Sequence, residues 1–162
     1  MILENQKKSQ CVIYPSMLTQ VLHLNHIFAC QTNSAKSMKL LLAIGIGSFI
    51  GGILRYLLSL VIQAKTMTAF PYGTLSVNVI GCLLIGIVFG IADKGSMSTE
   101  WKLFLATGLL GGFTTFSAFS LETFNLIRMG HHFYAGIYVT ASIVIGLLAT
   151  IMGVAVIRMF WG

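Results

Sequence analysis

Four apolar runs, at about 40–62, 72–92, 101–127 and 133–160, dominate the chain. Each reaches or exceeds the roughly 20 residues that a helix needs to cross a bilayer. Backbone polar groups in lipid must bond to one another, so a span is either a helix or a strand of a closed barrel. Barrel strands are short and alternate apolar with polar residues, and these runs do neither. The expectation is an all-α membrane protein with four transmembrane helices per chain. Its connections, 63–71, 93–100 and 128–132, leave no room for a soluble domain.

Composition agrees with lipid as the solvent. Of the 162 residues 56% are apolar and only 9% are charged, whereas a soluble domain carries about 25% charged residues. The formal net charge is +6, and basic residues beside apolar runs mark membrane boundaries rather than a nucleic-acid surface. Cys11, Cys30 and Cys82 are too scattered for a disulfide framework or a zinc site. Cys82, inside an apolar run, reads as a small buried hydrophobe.

Residues 1–37 are polar and mixed, and lack the apolar stretch of a signal peptide. They read as a flexible extension or an upstream mis-assigned start, with the four-helix membrane domain over 38–162. An amphipathic surface helix near 17–28 is the other reading, and His23 and His26 have no further ligands to make a metal pair.

Charge placement leaves the orientation open. One side of the bilayer would carry Lys39, Lys94, Lys102 and Arg158, and the other Arg55, Lys65 and Arg128. Four against three is almost no bias, so insertion both ways up is permitted. Opposite orientations can pair as an antiparallel homodimer about an axis in the membrane plane. Gly47/Gly51 and Gly86/Gly90 are GxxxG spacings that let helix backbones approach closely.

Polar groups within the spans are costly unless partnered, and so are the functional candidates. Asn78 sits in the second span and offers an amide either to an anion or to a neighbouring helix. The third span contains GGFTTFSAFS at 111–120, a poor helix interior. A break there frees carbonyls that suit a small cation. Phe116 and Phe119 share a face, either as core packing or as positive ring edges turned to a small anion. Tyr138, Ser142 and Thr150 form a stripe on the fourth span, with Gly146 at the missing step. These hydroxyls serve an anion or bond back to their own helix. Arg55 and Glu122 read as structural or vestibular.

The segments GSFIGGILRY (47–56), YGTLSVNVIG (72–81) and GLLGGFTTFSAFSLE (108–122) resemble the signatures of the CrcB/Fluc fluoride channels. The resemblance covers 38–162 in span number, order and loop length. It implies an antiparallel, dual-topology homodimer in the cell inner (plasma) membrane, with a broken third helix and two pores that pass fluoride. Asn78, Phe116 and Phe119 match pore residues, with the Ser117 hydroxyl beside them. The carbonyls of Gly111 and Thr114 match the positions that hold a structural sodium ion, which is not transported. Tyr138, Ser142 and Thr150 resemble the polar track of the fourth helix. Gly146 departs from a hydroxyl there, and Ala118 stands where many members carry Thr. Arg55 and Glu122 match the recurrent Arg and Glu.

Two rivals remain. A small dual-topology proton-coupled multidrug exporter needs a carboxylate within a span, and only Glu122, late in the third, qualifies. A non-transporting assembly subunit would use the glycines for packing alone. Enzyme activity is not expected: the chain has no nucleophile–base pair, phosphate loop or metal-ligand cluster, and His131 and His132 sit together in a loop.

Overall fold

A computed structural model describes residues 34–161, and regular structure among them is entirely helical. The readings placed on 1–33, including Cys11, Cys30 and the His23/His26 pair, lie outside the described residues. Helix α1 spans Ser34–Thr66 and α2 spans Tyr72–Asp93. The third stretch begins with α3, Thr99–Lys102, and continues as a π-helical segment, Leu103–Leu110. It proceeds through α4, Gly111–Phe113, and α5, Phe116–Arg128, and the chain closes with α6, His132–Trp161. Four stretches, Ser37–Thr66, Tyr72–Asp93, Thr99–Arg128 and His132–Trp161, are long and apolar enough to cross a bilayer.

The apolar runs locate the helices, but α1 outreaches its run at both ends. Apolarity reports the hydrocarbon layer alone, while a helix continues into the headgroup region, where polar side chains cost nothing. Local chemistry sets the other ends. Ser98 Oγ accepts the Trp101 N–H at 3.4 Å and starts α3. After α5 the chain reverses at Gly130, whose φ of +80° is open to glycine. The His131 N–H returns to the Leu126 carbonyl at 2.9 Å.

Glycines carry much of the packing, because van der Waals contact rather than hydrophobicity joins helices in lipid. Gly47 and Gly51 face the π-helical segment. A Cβ on Gly47 would meet the Phe104 carbonyl at 2.7 Å, and one on Gly51 would collide with the Leu109 carbonyl. On the second seam Gly86 lies against the Thr150 carbonyl and Gly153 against the Leu83 carbonyl, so α2 and α6 touch backbone to backbone. Both GxxxG pairs therefore seat helices within the chain. Large apolar side chains point outward: Phe49 is 70% exposed and Phe133 77%, whereas Val77 and Tyr138 are fully buried.

Candidate functional site

The third stretch leaves helical geometry at two residues. Thr114 (φ −82°, ψ 156°) and Thr115 (φ −149°, ψ 119°) are extended, between α4 and α5. A π-helical turn precedes them, where the Gly111 N–H reaches back five residues to the Ala106 carbonyl. Leaving the helix orphans backbone groups that lipid cannot satisfy. Asn78 on α2 takes up two of them. Its Oδ1 accepts the Thr115 N–H at 2.9 Å, and its Nδ2 donates to the Thr115 carbonyl at 3.2 Å. Because the Thr115 N–H requires an acceptor, the amide orientation is fixed. One Nδ2 hydrogen remains for another partner.

The same rearrangement alters two carbonyls. In a continuous helix the Thr115 N–H would close on Gly111, but Asn78 takes it. The Ala118 N–H would close on Thr114, but it donates to Thr115 Oγ1 at 3.3 Å, capping α5. Gly111 and Thr114 thus lose their α-helical donors. The Thr114 hydroxyl turns the other way and donates to the Leu110 carbonyl at 3.0 Å. Two carbonyl oxygens released in this way are hard ligands of the kind a small cation takes.

An open groove of about 490 Å3 runs along this interruption. Asn78, Gly111, Thr114, Phe116, Phe119 and Ser142 line it, and none of its lining residues carries a formal charge. Phe116 is 79% exposed, and its ring centroid lies 5.6 Å from that of Phe119. Ser117, also exposed, lies 3.2 Å from the Thr115 hydroxyl, Oγ to Oγ1. Ser142 Oγ is sealed from solvent with no hydrogen-bond partner.

Not every member of the polar stripe faces the groove. Tyr138 is buried and donates to Glu122 Oε2 at 2.8 Å, and Thr74 donates to Glu122 Oε1 at 2.6 Å. The ring of Tyr138 packs on Phe119, centroids 5.2 Å apart, and edge-on to Phe70 at 5.6 Å. Aromatic contact thus connects the groove to this carboxylate. Thr150 Oγ1 donates to the carbonyls of Cys82 and Gly146, both at 3.1 Å. Glu122 also borders a smaller cavity of about 240 Å3 with Gln63 and Asn125. Arg55 sits on α1 with its Nε buried and unpartnered.

Sequence reasoning missed Gln63, which fastens the turn between α1 and α2. Its Nε2 donates to the carbonyls of Thr68 at 2.9 Å and Phe70 at 3.2 Å, and its Oε1 accepts the Gly73 N–H at 3.1 Å. A lone glutamine at the end of an apolar run gave no signal beyond its place before a proline-containing loop.

Four spans and an uncharged, aromatic-edged groove at an irregular stretch of backbone define a multi-pass membrane protein built to handle a small solute. The family described as "CrcB-like protein, Camphor Resistance (CrcB)" matches residues 42–154. Among its relatives is a protein named fluoride-specific ion channel FluC from Flavobacterium psychrophilum, 43% identical over 122 residues, 75% of this chain and 98% of the relative. Proteins of the same name from Rhizobium johnstonii (46% over 116 residues, 71% of this chain and 93% of the relative) and Chloroflexus aurantiacus (44% over 126, 77% and 100%) agree. The chain belongs to the CrcB family and is a multi-pass cell-membrane protein.

Proposed function

We propose that this chain is a fluoride-selective channel that lowers cytoplasmic fluoride by passive export. The name shared by its relatives supports the substrate. The observation that carries the mechanism is the groove lined by uncharged dipoles around Asn78. An ion moving through exchanges its hydration shell for the spare Asn78 Nδ2 hydrogen, hydroxyls and phenylalanine ring edges. Such contacts are favourable enough to admit an anion and weak enough to release it. An ion channel is not an enzyme class, and no reaction is assigned.

The third span is read as broken at Thr114–Thr115, and the functional unit as an antiparallel, dual-topology homodimer. The open groove supports this, since one chain supplies one wall and a second copy supplies the other. The carbonyls of Gly111 and Thr114 would hold a structural sodium ion, which would offset the electrostatic cost of anions in lipid. The proton-coupled exporter has no support here, because Glu122 is already occupied by two hydroxyl donors.

The test is ion efflux from proteoliposomes followed with a fluoride electrode. Wild type should release fluoride and retain chloride, and Phe116→Ile should slow release while remaining folded. Vesicles that retain fluoride as empty ones do would refute the reading. Replacing sodium with N-methylglucamine throughout should weaken assembly and conduction together. Unchanged behaviour would remove the sodium assignment.

A further inference from the structure

The outward side of α6 carries a second groove, open and of about 660 Å3. Among the described residues its lining comes from α6 alone, from His132 to Ile145, and includes the small residues Gly136 and Ala141. The helix rises about 20 Å over that distance, slightly more than the roughly 15 Å of hydrocarbon in one leaflet. The mouth of the groove lies at the bilayer boundary. The span begins at His132, and the exposed rings of Phe133 and Tyr134 suit the headgroup level. The ionisable groups at this rim are all basic. Arg128, His131 and His132 are exposed there, and Lys65 stands at the same rim in the last turn of α1. No carboxylate among the described residues shares it. Asp93 and Glu100 lie at the opposite rim, and Glu122 is inside the span, held by Thr74 and Tyr138.

We propose that this face of α6 is a docking site for an anionic phospholipid, with the phosphate at Arg128 and His132 and one acyl chain along Gly136 toward Ile145. Charge complementarity selects the occupant. A guanidinium takes a phosphate through two parallel N–H···O bonds, and an imidazole N–H supplies a further donor. A zwitterionic lipid fits the groove equally well but brings its own cation to a rim without an acid. A second copy of the chain offers no matching acidic surface either, because Asp93 and Glu100 share their rim with Lys39, Lys94, Lys102 and Arg158. The acyl chain gains contact where Gly136 leaves room, since a Cβ there would meet nothing within 4 Å. The site needs only the membrane fold, whatever ion crosses.

The experiment is native mass spectrometry of the full chain in detergent, titrated with phosphatidylglycerol or with phosphatidylcholine of identical acyl chains. Wild type should bind phosphatidylglycerol at least about fivefold more tightly, the effect of one basic side chain on an anionic headgroup. Arg128→Gln should erase most of that preference and leave phosphatidylcholine binding unchanged. Gly136→Leu places its side chain in open space, so it should elute as wild type does while binding both lipids more weakly. Lys94→Gln, at the opposite rim, should keep the wild-type preference. Equal binding of the two lipids by wild type, an unaltered preference in Arg128→Gln, undiminished lipid binding by Gly136→Leu, or loss of the preference in Lys94→Gln would each overturn the proposal. A smaller assembly for Gly136→Leu by light scattering would overturn it too, and would assign this face to a second copy.

Discussion

Asn78→Asp separates the structural role of this residue from its role toward an ion. The substitution exchanges Nδ2, which donates to the Thr115 carbonyl at 3.2 Å, for an oxygen. Oδ1 can still accept the Thr115 N–H at 2.9 Å. One hydrogen bond is lost, and two oxygens face each other where donor met acceptor. The stability cost is about 1–3 kcal/mol, enough to weaken folding without abolishing it. The cost to conduction is larger. A carboxylate removes the spare donor and sets a negative charge beside the groove. At an effective dielectric of about 20, two like charges about 4 Å apart repel by about 4 kcal/mol, close to a thousandfold in occupancy. Detergent-solubilised Asn78→Asp should elute as wild type does, while its fluoride efflux falls by at least about a hundredfold. Efflux within about threefold of wild type from such well-folded protein would show that Asn78 only braces Thr115.

Gly51→Leu should abolish monodisperse protein, because its Cβ already collides with the Leu109 carbonyl, whereas Gly45→Ala, with nothing within 4 Å, should purify normally; size-exclusion chromatography separates the two. Gln63→Ala removes three hydrogen bonds at the α1–α2 turn and should lower stability by about 1–3 kcal/mol, seen as a lower melting midpoint in detergent. Glu122→Gln keeps one acceptor for Thr74 or Tyr138 and turns a donor toward the other, costing about 1–3 kcal/mol. Its fluoride flux should fall only in proportion to folded protein, while loss of proton-driven drug efflux in this variant would favour an exporter instead.

The four spans could be read directly because lipid imposes one rule on every residue in them, and polar punctuation marks where the rule lapses. The weak point at 111–115 was visible as local composition. What composition could not reveal was the partner. Asn78 is 37 residues from Thr115, and nothing in either segment states that an amide on one helix repairs the backbone of another. The stripe on α6 shows the same limit. A spacing of four puts Tyr138, Ser142 and Thr150 on a common face, yet that face meets different neighbours along its length. Tyr138 meets a carboxylate, Ser142 a cavity and Thr150 the backbone of α2. The π-helical segment left no trace in sequence, because Leu103–Leu110 is apolar but for Thr107 and shows no periodicity that separates a π-turn from an α-turn. Gly47 and Gly51 were recognisable as contact residues, but their partner across the seam is set by tertiary packing.

On the proposed reading fluoride crosses alone, along a groove that no charged side chain lines, and with no coupled proton. Reversal potentials in planar bilayers under separate fluoride, chloride and pH gradients address it most directly. The potential should follow the fluoride gradient and be indifferent to the other two. A potential that follows the pH gradient, or that moves equally with chloride, would oppose it.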